Sequence, residues 1–223
     1  SRAAAAAVAS LAATAVRRKG RFTLALAGGT TPRRLYELLA TVHRRQVPWD
    51  GIRVLWGDER CVPMDDPRSN YAMARETLLD RVPVPPEAVH RIRGELGPEA
   101  GAADYHDVMA GIPDLDLVLL GVGADGHTAS LFPGHVNPRD SRWARGVRAP
   151  PGVEPPERVT LTLRALNAFS AALFLATGAE KRDAVDAART APSGEPDPGA
   201  LPALRVRPAV EPLWIVDRAA AGR

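Results

Sequence analysis

Four residues that could do chemistry follow one another at positions 125–128, where the sequence reads DGHT directly after the apolar run DLDLVLL. His127 has the widest chemical use, because an unperturbed imidazole titrates near neutral pH and can act as a general base or acid. Asp125 could hold that ring in one tautomer or bind a substrate hydroxyl. The alternative interpretation is a helix-capping aspartate followed by a structural histidine.

The glycines Gly121, Gly123 and Gly126 also match G-x-G-x-x-G, the turn of dinucleotide-binding domains. In that fold an acidic residue about 20 positions further on, at the end of a second strand, binds the ribose. The proline-rich stretch RGVRAPPGVEPP follows here instead. Neither H-E-x-x-H nor G-x-S-x-G occurs either. The sequence therefore predicts no cofactor, no metal and no covalent nucleophile.

The stretch AGGTTP at positions 27–32 is a candidate anion site. Gly28 and Gly29 can adopt backbone angles closed to other residues and so turn several N–H groups toward one point. Thr31 is a suitable N-cap and Pro32 a suitable first helical residue, so a helix should begin here. Phosphate is the natural ligand of such a helix N-terminus. A tight strand-to-helix turn without a ligand is the alternative.

Asp58 and Arg60 lie in the stretch GDER, after another apolar run. They could form a charged turn in solvent, or they could contact the hydroxyls and anionic groups of a substrate. A helix should begin soon afterwards in DDPRSNY, with Asp66 or Ser69 as its cap. Lys181 is a further candidate, because almost all cationic residues are arginines and the only other lysine is at position 19.

Short apolar runs alternate with helix-like segments, which predicts a doubly wound α/β fold with a mostly parallel sheet and helices on both faces. Ligands of such sheets bind beyond the carboxyl ends of the strands, where all three motifs should meet. The length favours a single domain over residues 1–223. Strand candidates are residues 22–27, 52–56, 116–120, 159–163, 172–177 and 213–216; helix candidates are residues 3–18, 32–45, 70–81, 102–110 and 179–189; the Pro/Gly-rich segments 133–156 and 191–208 should be surface loops.

Composition argues against several classes of partner. The net charge is only +3 and the arginines are spread along the chain, which predicts no nucleic-acid binding. No apolar run approaches the roughly 20 residues that cross a bilayer, and the alanine-rich N-terminus indicates a helix rather than a signal peptide. The single cysteine, Cys61, is typical of a reducing, cytoplasmic setting. No apolar seam stands out, so we expect a monomer.

In order and content, these motifs resemble the 6-phosphogluconolactonase family. The resemblance covers most of the chain and rests on LALAGGTTPRRLYELL, LWGDERCVPMDDPRSNY, LDLVLLGVGADGHTASLFPG, RVTLTLRALNAF, LFLATGAEKRDAV and PLWIVDRAAA. The related glucosamine-6-phosphate deaminases typically carry DEY and a DGHIAF-like loop, so Arg60, Thr128 and Ser130 favour the lactonase side. Members usually have a strand before their first helix, and we expect this sequence to lack it.

The resemblance implies a Rossmann-like fold and hydrolysis of 6-phospho-D-glucono-1,5-lactone, a small sugar-phosphate lactone, in the oxidative pentose phosphate pathway. It implies that His127 activates the attacking water, and that Asp125 orients groups around it. It further implies a substrate and phosphate pocket formed by Gly28, Gly29, Thr30, Asp58, Arg60 and Lys181. Two alternatives stay open: an aminosugar-phosphate deaminase or isomerase, and a sugar-phosphate-binding protein without catalysis.

Overall fold

The computed structural model describes residues 1–190 and 200–223. In chain order its helices and strands are α1 (Arg2–Lys19), β1 (Phe22–Leu26), α2 (Thr30–Ala40), β2 (Ile52–Trp56), β3 (Asp58–Arg60), α3 (Asn70–Thr77), α4 (Pro98–Ala110), β4 (Leu117–Gly121), β5 (Ala144–Arg148), β6 (Glu157–Leu161), α5 (Leu163–Asn167), β7 (Ala171–Ala176), α6 (Arg182–Thr190) and β8 (Leu213–Val216). Short 3-10 turns connect several of them.

Five strands form a parallel sheet in the order β2-β1-β4-β7-β8. This arrangement confirms the mostly parallel α/β fold that the alternation of apolar runs predicts. The chain moves from β1 outward to β2 on one side and then returns to β4 on the other, so the strand order reverses between β1 and β4. A crevice opens at the carboxyl ends of the strands at such a reversal, and ligands of open α/β sheets bind there.

A second sheet, β3-β6-β5, is antiparallel. Gly57 links the two sheets, because its N–H donates to Leu26 and its carbonyl accepts from Leu161. The apolar run at 159–163 was expected in the parallel sheet, but most of it belongs to β6. That expectation was wrong because apolar character predicts a strand without predicting its partner. The segment 133–156, expected as a loop, contains β5.

The helices pack against one another and against both sheets. Helix α1 buries Ala4, Ala5, Val8, Ala9 and Ala12 along one face, and these small side chains let it lie close to α2 and β1. Helix α4 packs on the antiparallel sheet through β5 and β6. A single cluster of buried apolar residues runs from α1 through the parallel sheet to α4.

Helix α2 begins earlier than the sequence predicts. Gly29 is its N-cap, with φ of 85°, so Thr30 is the first helical residue and Thr31 lies inside the helix. The expected cap at Thr31 was wrong because a glycine in the left-handed region already ends the preceding turn. Of the two caps expected for α3, Asp66 and Ser69, the structure has Ser69, whose side chain accepts from the Ala72 N–H at 3.1 Å.

Part of the predicted loop at 191–208 lies outside the described residues, namely positions 191–199. Beyond them, Pro202–Arg205 forms a 3-10 turn. Within the described ranges, no helix combines the length and the apolar character needed to span a membrane.

Two buried tyrosines hold the last residues of the strands that lead into the crevice. The Tyr36 hydroxyl donates to the Ala27 carbonyl at 2.7 Å and accepts from the Ala27 N–H at 2.9 Å. The Tyr105 hydroxyl makes the same pair of hydrogen bonds to Trp56, at 3.1 and 2.8 Å. Burial raises the pKa of both hydroxyls far above the usual range, so they stay neutral. Each tyrosine hydroxyl thereby makes the two backbone hydrogen bonds that a neighbouring strand would otherwise make.

We expect Tyr36→Phe to lower the free energy of unfolding by about 2–4 kcal/mol, because the buried N–H and carbonyl of Ala27 lose their partner. Chemical denaturation measures the change. Tyr71→Phe is the matched control, since the Tyr71 hydroxyl makes no hydrogen bond with the described residues. Equal effects of the two substitutions would show that the Tyr36 hydroxyl does not stabilise the end of β1.

Candidate active site

A cleft of about 320 Å³ opens at the carboxyl ends of β1, β4 and β7, where the strand order reverses. It brings together most of the residues that the sequence predicts for a site. Those that line it are Gly28, Gly29, Thr30, Asp58, Arg60, His127 and Lys181. Asp125 stands behind His127 rather than in the cleft wall. Gly28 and Lys181, which are 153 positions apart in the chain, therefore share one cavity.

Asp125 orients the ring of His127. Its Oδ1 lies 2.6 Å from His127 Nδ1 and 3.2 Å from the His127 backbone nitrogen. Burial raises the pKa of Asp125, but the hydrogen bonds and charge of His127 outweigh it and hold the pKa below its usual value. Because an ionised carboxylate can only accept, Nδ1 carries the proton and Nε2 of the neutral ring is left with its lone pair. The pair can thus serve as an oriented base.

Two glycines of the G-x-G-x-x-G match, Gly123 and Gly126, give this histidine its position. A Cβ at Gly123 would overlap the His127 ring and the Asp125 carboxylate, so only glycine lets the ring lie over the backbone there. Gly126 has φ of 77° and turns the chain between the two residues. Phe132 packs against the imidazole with 5.0 Å between ring centroids. These glycines therefore serve a histidine loop. The sequence argument was wrong on one point, because a strand, β5, does follow, although it belongs to the antiparallel sheet.

The start of α2 forms another wall of the cleft. Gly28, Gly29 and Thr30 carry backbone N–H groups at a helix N-terminus, which favours anions. The Thr31 hydroxyl lies 3.1 Å from that of Thr177, which ties this helix start to the loop after β7. Lys181 follows in that loop and lines the cleft. These residues together can hold a phosphate.

Lys181 differs from the other lysine in its partners. Lys19 lies 2.7 Å from Asp116, at the opposite end of β4, whereas Lys181 has no carboxylate within 4.0 Å in the part of the chain that the structure describes. An ammonium group without a fixed partner, on the wall of a cleft, is available to a ligand. This contrast supports the choice of Lys181 as a candidate.

Asp58 is buried and fully engaged with neighbouring side chains. Its Oδ2 accepts from the Ser130 hydroxyl at 2.6 Å, and its Oδ1 lies 3.2 Å from Asn70 Nδ2, which also donates to the Asp58 carbonyl at 2.9 Å. Asn70 Oδ1 is buried without a partner among the described residues and lies against Gly28. Asp58 therefore fixes the walls of the cleft as well as lining it.

Glu59 caps α3 from the neighbouring strand. Its carboxylate accepts from the backbone nitrogens of Asn70 and Tyr71 at 2.7 and 2.8 Å, and from the Ser69 hydroxyl at 2.9 Å. Burial raises the pKa of Glu59, and these hydrogen bonds, with one from the Arg60 N–H, act in the opposite direction. The acid of the GDER stretch that points away from the cleft thus holds α3 in place.

Two arginines lie side by side on the floor of the cleft. Arg60 of β3 pairs with Arg158 of β6 in the antiparallel register, and both line the cavity. Arg60 donates through Nη1 to the Arg68 carbonyl, while its Nε is buried without a partner among the described residues. Burial lowers the pKa of Arg158, and the nearby Asp58 acts against that shift.

Sequence reasoning missed several of these residues. Arg158, Asn70 and Thr177 line the cleft without having been predicted. Thr177 closes a predicted strand and could have been found from the carboxyl-end rule. Arg158 directly precedes the run VTLTL, and only its pairing with Arg60 reveals its position. In the described part of the chain, no group of three or more His, Cys, Asp or Glu side chains converges to hold a metal.

Comparison with known proteins agrees with the geometry. A family model described as "Glucosamine-6-phosphate isomerases/6-phosphogluconolactonase" matches residues 1–214. A 6-phosphogluconolactonase of Nostoc sp. is 42% identical over 219 residues, which cover 93% of this chain and 86% of the relative. The crystal structure of a 6-phosphogluconolactonase from Thermotoga maritima superposes with a TM-score of 0.83 at 31% identity, covering 95% of this chain and 92% of that one.

The fold is also similar to that of a monomeric glucosamine-6-phosphate deaminase. That structure has a TM-score of 0.83, covers 98% of this chain and 95% of its own, and is 20% identical. Identity at that level shows a shared fold and does not extend to the reaction. The relatives with more than 30% identity described above are both 6-phosphogluconolactonases.

We expect Gly28→Ala to destabilise the protein by about 1–3 kcal/mol, because its methyl group would overlap the buried side chain of Asn70 and displace Asn70 from Asp58. Denaturant unfolding measures the loss. Gly121→Ala is the control, since nothing lies within 4 Å of a Cβ there. If Gly28→Ala were as stable as Gly121→Ala, the close packing of Asn70 on Gly28 would not be needed.

Proposed function

Because this chain belongs to the glucosamine-6-phosphate isomerase/6-phosphogluconolactonase family, we propose that it hydrolyses 6-phospho-D-glucono-1,5-lactone to 6-phospho-D-gluconate. This is the second step of the oxidative pentose phosphate pathway. The observation that carries the proposal is the convergence of an Asp125-oriented histidine and a helix N-terminus with Lys181 on one cleft. A base and an anion cradle in one cavity suit an ester that carries a phosphate.

In the proposed reaction His127 acts as the general base. Its Nε2 takes a proton from a water molecule as the water oxygen attacks the lactone carbonyl carbon. The resulting tetrahedral intermediate collapses with cleavage of the bond between that carbon and the ring oxygen, and the imidazolium returns the proton to the departing oxygen. Asp125 keeps Nδ1 protonated and stabilises the imidazolium while it exists. A positioned base of this kind accelerates reactions by about 10²- to 10⁴-fold.

The phosphate has a separate role as a handle in this proposal. Gly28, Gly29 and Thr30 would bind it through backbone N–H groups, and Lys181 would add a charge-assisted contact. Holding the phosphate at one wall fixes the carbonyl at the other, which turns an encounter with water into an oriented reaction. Asp58 would contact sugar hydroxyls while it keeps its hydrogen bond from Ser130.

We expect the protein to release acid from freshly prepared 6-phospho-D-glucono-1,5-lactone faster than the lactone opens by itself. A pH-stat assay corrected for the spontaneous rate measures this activity. The same preparation should release no ammonia from glucosamine 6-phosphate. Ammonia release without lactone hydrolysis would instead support the deaminase alternative, and binding without either reaction would support a non-catalytic role.

His127→Ala should lower kcat by about 100-fold or more, because the water loses its base, while KM changes little. Asp125→Asn should give an intermediate loss, since the ring remains but its orientation and charge partner are weakened. His43→Ala is the control, because His43 is half-buried outside the cleft, where it contacts Gln46. If His127→Ala retained the kcat of the unsubstituted protein, His127 would not be the base.

We also propose that the protein acts in the cytoplasm as a monomer, and that residues 1–223 form one domain. The cytoplasmic location rests on the single cysteine, Cys61, and the monomer rests on the lack of an apolar seam in the sequence.

A further inference from the structure

Arg158 is a charged residue buried in the cleft for which the proposed mechanism has so far given no role. Only 7% of it is exposed, and it lines the cavity beside Arg60. Its Nε donates to the Pro155 carbonyl at 3.0 Å and its Nη2 to the Glu154 carbonyl at 3.3 Å. Its Nη1 makes no hydrogen bond with any residue in the described ranges. A buried guanidinium therefore keeps one nitrogen available.

The position of Arg158 opposite Arg60 destabilises the antiparallel sheet. Like charges directly opposite each other on neighbouring strands destabilise a sheet, and burial makes that repulsion stronger. In the described part of the chain, neither guanidinium has a carboxylate within 4.0 Å. The nearest acids are already engaged, because Asp58 accepts from Ser130 and Asn70, and Glu59 caps α3. Because the two guanidinium groups repel each other and have no carboxylate partner, we expect the pair to bind an anion.

Hydrogen bonds between the walls connect this pair most directly to the loop that carries His127. The loop that carries His127 is tied to β3 through the Ser130–Asp58 bond, and to β6 through the bond from the Ser130 N–H to Thr160 Oγ1 at 3.2 Å. The start of α2 is tied to the loop after β7, which carries Lys181, and it meets β3 through Asn70, which lies against Gly28 and donates to Asp58. The His127 loop is therefore bonded directly to both strands that carry the arginines, whereas the phosphate cradle is bonded directly to the lysine loop.

We infer that Arg158, together with Arg60, binds the carbonyl oxygen of the lactone and stabilises the negative charge that develops on that oxygen. This inference rests on the proposed lactone hydrolysis and adds a catalytic residue to it. As water attacks, the electron pair of the carbonyl double bond moves onto this oxygen. The arginines donate N–H groups to it and keep their own protons. The product carboxylate then occupies the same place before it leaves.

The competing explanation is that Arg158 only anchors the loop at Glu154 and Pro155. Kinetics on two substrates separate these roles. We expect Arg158→Met to lower kcat by about 10²- to 10³-fold with little change in KM, as removal of a donor to an oxyanion does. The loss should be equal for the phosphorylated lactone and for D-glucono-1,5-lactone, because the carbonyl is common to both.

Lys181→Met should show the opposite pattern, with a raised KM for the phosphorylated lactone only. Arg148→Met is the control, since Arg148 is exposed on β5, does not line the cleft, and lies 3.7 Å from Glu157. Millimolar guanidinium should partly restore kcat to Arg158→Ala, which an anchoring role does not predict. A rise in KM confined to the phosphorylated lactone, or a variant as active as the unsubstituted protein, would overturn the inference.

Equilibrium binding tests Arg158 without turnover. Measured by calorimetry, the affinity for 6-phosphogluconate, which has a carboxylate, should fall by about tenfold or more in Arg158→Met. The affinity for glucose 6-phosphate, which has no carboxylate, should stay nearly unchanged. Equal weakening of both ligands would contradict the inference. If the unsubstituted protein hydrolyses no lactone, the proposed function fails, while this binding difference still decides whether Arg158 binds an anion beside His127.

Discussion

The site depends on one buried carboxylate, Asp58, and on the hydrogen bonds that it accepts. Through Ser130 at 2.6 Å it holds the loop of His127 against β3, and through Asn70 it holds the start of α3. Asn70 in turn fills the space that a side chain at Gly28 would need. Three segments distant in sequence thus meet around one charge. Loss of either partner would leave that buried charge less well paired, which is why the arrangement is expected to be rigid.

Around this carboxylate the cleft separates two kinds of positive charge. At one end, a helix N-terminus and the flexible ammonium group of Lys181 suit a compact dianion such as phosphate. At the other, the planar guanidinium groups of Arg60 and Arg158 lie near the His127 loop, where negative charge would appear only during reaction. A substrate held at the first end would present its carbonyl to the second. The division explains why a site without a metal ligand cluster among the described residues can still favour ester hydrolysis.

Local patterns in the sequence predicted the parallel sheet, and most of the site residues that they predicted do line the cleft. The reason is that strands of a parallel sheet end on one edge, so motifs that follow them meet without further information. Arg158 could not be found in this way, because its place depends on antiparallel pairing with Arg60, and an apolar run does not reveal its partner strand. The cap of α2 was misplaced at Thr31 because the left-handed conformation of Gly29 cannot be distinguished from a neighbouring turn by residue type alone.

Everything in this mechanism requires that a single substrate spans the cleft from the cradle to the base. A crystal structure of the protein with 6-phosphogluconate is the most direct test. The phosphate should lie within hydrogen-bond distance of the backbone nitrogens at Gly29 and Thr30 and of Lys181, with the carboxylate between His127 and Arg158. A phosphate bound to Arg158 with the carboxylate at the start of α2, or a ligand outside this cleft, would contradict the mechanism.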